Sequence, residues 1–289
     1  MSRTVLNGLL LLVVIGLAAA VWLSPSTRHP APPALLPGLA PDGITRVDIQ
    51  RRGEPDIVLE KDAHGWELTA PFRVPANDVR VAAVTALAGA ESRGGFSAAG
   101  RDLKPFGLDP PAARVALNDT TVALGGVEPI SARRYVKVGN TIRLVPDYYT
   151  NGITAPAADF VSLALLPEGH RPVAIAAPGI TLRRGKDGHW VDVGAAGAPG
   201  SALDAFADRW HRARALDVEP APAGAASSGT VTVETAAGPP LVFDIAQRSP
   251  ELILARRDLG VAYHFPASET VKLLQLAPPA AAHDAGGSG

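Results

Sequence analysis

The feature that most constrains the fold is an order of segments that occurs twice. Gly65-Trp66-Glu67-Leu68 follows a polar turn at Lys61-Asp62-Ala63-His64. His189-Trp190-Val191-Asp192-Val193 follows Gly185-Lys186-Asp187-Gly188. Beyond each tryptophan lies a helical pattern. The first runs from Asn77 to Glu91, with Val79, Ala82, Ala83, Ala86 and Leu87 on one stripe and Asn77 or Asp78 as cap. The second runs from Ser201 to Leu216, with Leu203, Phe206, Ala207, Trp210 and Ala213 on one stripe and Ser201 as cap.

Short alternating segments follow each helix, and alternation means half-buried strands. Ala113–Leu117 corresponds in order to Thr230–Val233. Tyr135–Val138, a Gly139-Asn140 turn and Ile142–Pro146 form a hairpin signal. Its counterpart is Leu252–Ala255, a turn over Arg257-Asp258-Leu259-Gly260, and Val261–Pro266. Three strands open the first unit, at Ile44–Arg51, Asp56–Glu60 and Trp66–Thr69. Ile44, Val47 and Ile49 break strict alternation, which leaves a bulge or a two-sided strand open. The expectation is an α+β fold with two tandem related units, each a mostly antiparallel sheet with one main helix.

Val5 to Leu23 is uncharged and carries one polar side chain, Asn7. As a helix it would span about 28 Å, close to a bilayer's hydrocarbon thickness. Arg3 precedes it and Trp22 stands near its far end, which predicts a single-pass anchor with the rest of the chain outside the cytoplasm. Ala18-Ala19-Ala20 keeps a cleaved signal peptide open as an alternative, and a buried soluble helix is the third reading. The expected layout is an anchor or signal peptide at 1–23, a Pro-rich spacer at 24–42, a first unit at 43–166, a second at 167–276 and a loose tail at 277–289.

Composition closes off several classes. Lys plus Arg total 27 and Asp plus Glu total 28, so charge does not lead this chain to nucleic acid. With 47% hydrophobic residues it is not a disordered chain. Having no cysteine excludes disulfides, thiolate metal sites and cysteine nucleophiles.

Five elements in order resemble a known family: Ile44-Thr45-Arg46-Val47-Asp48-Ile49, Gly65-Trp66-Glu67-Leu68-Thr69-Ala70-Pro71, Pro75-Ala76-Asn77-Asp78, Phe106-Gly107-Leu108-Asp109-Pro110-Pro111 and Arg134-Tyr135-Val136-Lys137-Val138. Together they look like the bacterial domain of unknown function 4340, over roughly 43–172 and weakly beyond. The resemblance implies an exported domain on one N-terminal helix, and in some relatives an auxiliary role beside gliding-type ABC transporters. Those relatives are usually longer and multi-spanning, whereas one span is expected here, which weighs against a direct transporter role. The family assigns no reaction and no catalytic residue. The signature also reads physically. Gly107 can take a positive φ, Leu108 can enter a core, and Pro110-Pro111 can lead the chain to an edge strand.

No catalytic, cofactor-binding or metal-ligating residue is nominated. Asp62-Ala63-His64 and Asp187-Gly188-His189 suggest acid/base pairs, but their imidazoles are out of step with the tryptophans, so turn-filling is the expectation. His29, His170, His211, His264 and His283 lack ligand spacing. Ser201 and Ser227-Ser228 lie in no nucleophile elbow. Gly94-Gly95 and Gly125-Gly126 lack a phosphate fingerprint. Arg183, Arg184 and Lys186, and Arg209, His211, Arg212 and Arg214, read as solvated faces, with Asp208–Arg212 as a helix pair. The expected function is a non-catalytic binding or accessory module at the bacterial inner membrane with its bulk in the periplasm. It would need no cofactor, and its partners would be the membrane and envelope transport proteins rather than nucleic acid. The alternative is a small-molecule or glycan binder with a site between the units near Trp66 and Trp190, both otherwise explained by aromatic burial.

Overall fold

The structure is a computed structural model. It describes residues 33–276 except 168, 195–197, 222, 223, 225 and 237, together with residues 7, 8, 12–17 and 19. The N-terminal part and the body from Ala34 onward form separate compact units. Leu12 to Leu17 are helical and every side chain there is exposed, Leu12 at 69% and Leu17 at 62%. Among the described residues no helix is long and apolar enough to cross a membrane. Most of the expected anchor, the spacer up to Pro32 and the tail at 277–289 lie outside the described residues.

The body contains two antiparallel sheets. The first holds β1 (Arg46–Arg51), β2 (Ile57–Asp62), β3 (Gly65–Ala70), β4 (Val74–Pro75), β5 (Arg93–Ser97), β6 (Ala113–Leu117), β7 (Thr120–Val127), β8 (Arg133–Val138) and β9 (Thr141–Pro146). Its spatial order is β4-β3-β2-β1-β6-β7-β8-β9-β5. The second holds β10 (Pro172–Ala177), β11 (Ile180–Arg184), β12 (Trp190–Asp192), β13 (Asp217–Pro220), β14 (Thr230–Thr235), β15 (Leu241–Gln247), β16 (Leu252–Arg256) and β17 (Val261–Phe265), in the order β12-β11-β10-β14-β15-β16-β17-β13. With β4 set aside, the two orders are the same. In both sheets the strand after the main helix crosses to the far edge and pairs with the last strand of the unit.

The main helices are α1 (Asp78–Thr85) and α2 (Gly200–Arg212), and α3 (Ala267–Leu274) closes the described chain. Asn77 caps α1, its side chain accepting from the amides of Val79 and Arg80. The buried stripe of α1 is not the expected one. Val81, Val84 and Thr85 face the core and Val79 is 77% exposed. Alanine and valine occupy both phases here, so periodicity alone cannot choose, and the helix tightens to a 3₁₀ turn over Ala86–Gly89. The stripe of α2 is as expected through Leu203, Phe206, Ala207 and Trp210, all buried. Its cap is not: the helix starts at Gly200, and Pro199 supplies the extended N-cap backbone with no side-chain bond, so Ser201 falls inside the first turn.

A clasp opens each unit. Ala34-Leu35-Leu36-Pro37 and Ala164-Leu165-Leu166-Pro167 share their sequence, and all four leucines are buried. The first pairs with the chain leaving the first helix region: the Leu35 amide donates to the Ala90 carbonyl and the Leu36 amide to that of Ala88, at 2.8 and 3.0 Å. The second does the same in its unit, Leu165 donating to Ala213 and Ala215 to Leu163. The end of the expected spacer, from Ala34, is therefore part of the folded body, because its two leucines fill the core. Just before the second clasp the chain is tied to the first unit as well. Asn77 donates to Phe160 at 2.8 Å and Ser162 donates to Pro75 at 2.9 Å. One continuous core joins residues of both sheets.

The Phe106–Pro111 signature builds a second, smaller core. Gly107 has φ 65° and Leu108 is buried with Ala98 and Ile142, against Phe96, Phe106 and Tyr135. Gly125 sits directly beneath; a Cβ there would collide with the Phe106 carbonyl oxygen. That close approach explains the glycine at 125. The strand after Pro110-Pro111 is not at an edge. β6 lies between β1 and β7, because the prolines precede it and leave its ladder intact. β1 alternates inward through Val47 and Ile49, with Ile44 lying before it.

Candidate binding site in the first unit

A cavity of about 360 Å³ opens beneath the first clasp. Leu35, Leu36, Pro37, Gly38 and Leu39 form one wall, and Thr120, Val138, Thr141 and Arg143 from β7, β8 and β9 form the other. Pro37 and Gly38 are exposed and mark its rim. The opposing pairs Val136↔Arg143 and Val138↔Thr141 place Arg143 and Thr141 on the same face as core residue Val136.

The second unit shows what this corner holds when it is closed. Both last hairpins run into a proline, Pro146 and Pro266, and this aligns the two sheets residue by residue. The ladder pairs Leu124↔Val136 and Val138↔Thr141 then correspond to Ile245↔Leu254 and to Arg256↔Val261. Thr120 falls on Leu241, Val122 on Phe243, Thr141 on Val261 and Arg143 on Tyr263. Phe243 and Tyr263 pack edge to face at 6.2 Å, and Trp210 packs against Phe243 at 5.7 Å. Burial pushes the Tyr263 hydroxyl up to about 12. At these four positions the first unit puts smaller or polar groups where the second puts leucine, valine and two aromatic rings; at the fifth, Val138 stands where the second unit has Arg256, whose guanidinium lies over the Phe243 ring and pairs with Asp258.

Arg143 differs from the other covered arginines in charge pairing. Arg51, Arg133, Arg134 and Arg256 are mostly covered, and each meets a carboxylate, of Glu54, Glu91, Asp147 and Asp258. The Arg134 guanidinium holds Asp147 below the usual carboxylate range, and Arg256 does the same for Asp258. Arg143 is half-buried and donates to the neutral Ser92 hydroxyl at 3.2 Å, with no ion pair among the described residues.

The other sequence candidates are placed differently. Asp62 and Asp187 accept from the backbone amides of His64 and His189, at 2.7 and 3.1 Å, so both acids fill turns. Both imidazoles are exposed. Trp66 and Trp190 are half-buried against the core on corresponding strands of the two sheets, β3 and β12, opposite Lys61 and Arg184. Neither lines the cavity. Asp208 and Arg212 form the expected helix pair. Among the described residues no group of acids and histidines could hold a metal ion. Sequence reasoning missed Thr120, Thr141 and Arg143. The signal was available only by laying the two hairpins over each other.

The fold places the chain in a class: an α+β protein of two antiparallel sheets with one strand order, the first with a cavity at its corner. The chain belongs to the family described as domain of unknown function (DUF4340), whose model matches residues 66–221. That match starts later than the resemblance to 43–172 and reaches through α2 and β13 of the second unit. No curated protein and no solved structure matches the chain.

Proposed function

We propose that this protein is a binding and accessory module, held at the bacterial inner membrane by its N-terminal apolar run and carried in the periplasm beside an envelope transport system. The observation that carries this reading is the uncharged stretch Val5–Leu23, whose described side chains from Leu12 to Leu17 are all exposed. An apolar helix with exposed sides calls for an apolar medium. Replacing Val13 and Ile15 together by lysine would add roughly 5–7 kcal/mol to insertion. The double variant is expected in the soluble fraction after cell lysis. A wild-type chain already found there would refute the anchor. Crosslinking in native membranes that recovers only copies of the chain would refute the accessory role.

The cavity beneath the first clasp supports a second reading, a small-molecule binding protein. Its site lies within the first unit rather than near the two tryptophans, which favours a small molecule over a glycan stacked on indole.

A further inference from the structure

We infer that the cavity beneath the Ala34–Pro37 clasp takes a small anion with a short apolar body, its carboxylate or phosphate head on Arg143 and Thr141 and its body against Leu35, Leu36 and Leu39. This assigns the ligand class for the small-molecule reading and rests on it; it does not depend on the anchor.

Three observations carry the inference. The first is the exchange between the units. A corner that can be filled by Leu241, Val261 and Tyr263 is lined in the first unit by Thr120, Thr141 and Arg143. All three are half-buried, so they line the wall with polar groups that stay open to an entering ligand. The second is the half-buried guanidinium. Its recorded partner is a hydroxyl, whereas the four other covered arginines meet carboxylates. A planar fork of donors facing a cavity suits a carboxylate or phosphate oxygen pair. The third is the division of the wall, leucines on the clasp and donors on the sheet, which orients an amphiphilic molecule one way. The cavity volume is at the lower end for small-molecule sites, roughly 300–1,000 Å³, so the body is short.

The full chain is titrated calorimetrically with octanoate, octyl phosphate, 1-octanol and inorganic phosphate. Octanoate or octyl phosphate is expected to bind at least about tenfold more tightly than octanol, the ratio set by one charge-assisted contact. Whichever of the two binds better identifies the head group. Arg143→Gln should remove that preference, Arg143→Lys should keep part of it, and Thr141→Val should weaken anion binding several-fold while leaving the fold intact. Equal binding of octanol and octanoate would leave a small-molecule pocket but overturn the anion assignment. So would unchanged anion binding in Arg143→Gln. If none of the four probes binds at millimolar concentration, the small-molecule reading fails as well. Tighter binding of inorganic phosphate than of octyl phosphate would overturn the role of the leucine wall.

Discussion

Arg143 and Tyr263 hold the same position in two sheets of one strand order, each the third residue of its unit's last hairpin strand. Arg143 faces Val136 across its ladder and Tyr263 faces Leu254. One unit closes its corner with aromatic rings, and the other leaves a cavity with a guanidinium in its wall. The pair locates the difference between the units in a few side chains on a shared frame.

The clasps are structural in both units. Leu35 is 1% exposed and Leu165 is 2% exposed. Leu35→Ala and Leu165→Ala are each expected to cost about 2–5 kcal/mol, the usual range for a core leucine. Denaturant midpoints read this directly. A Leu35→Ala chain with unchanged stability would return residues 34–36 to the spacer.

The family signature depends on a close backbone approach. Gly125→Ala should cost about 1–3 kcal/mol or more by overpacking against Phe106 and Leu108. Gly95→Ala, which meets nothing within 4 Å, is the control and should stay within about 0.5 kcal/mol. Thermal unfolding of the two variants side by side tests the contrast.

Much of the frame was legible in the chain. Trp66 and Trp190, the two hairpins and the two helices follow from periodicity and turn chemistry, because strands and amphipathic helices write their burial into residue order. The phase of α1 was not legible, since Val79 and Val81 are equally apolar and only tertiary packing separates them. The repeated Ala-Leu-Leu-Pro clasp was visible but masked by its proline-rich surroundings. The cavity was illegible for a deeper reason. Thr120, Thr141 and Arg143 look like ordinary solvent-facing residues until ladder register turns them toward the core.

Trp210 ties the last described helix to the second core. Its indole Nε1 donates to the Leu273 carbonyl at 2.9 Å, one of the carbonyls a helix end leaves open. Trp210→Phe would leave that oxygen unpaired, at about 1–3 kcal/mol. Amide exchange over 267–274 should accelerate more than exchange in β14 or β15. Uniform acceleration across the second sheet would mean that the ring's bulk, rather than its hydrogen bond, secures the helix.

Asp147 sets an acid limb in the stability profile. Arg134 donates to it at 2.6 Å and lowers its folded pKa. A lowered carboxylate value contributes stability that is complete above the unfolded range and is lost as pH falls through the folded value. The carboxylate is 36% exposed, so solvent screening holds its contribution under about 1 kcal/mol. Asp147→Asn should therefore be less stable than wild type at neutral pH, and the gap should close on acidification below the ordinary carboxylate range. A gap that widens in acid would contradict the assignment.

The compartment of the folded body decides between an exported module and a cytosolic one. Alkaline phosphatase, active only outside the cytoplasm, and a fluorescent protein that matures only inside it are fused separately after Leu276. Phosphatase activity with the membrane fraction and no fluorescence is expected. Fluorescence without phosphatase activity would place both sheets in the cytosol and refute the periplasmic assignment.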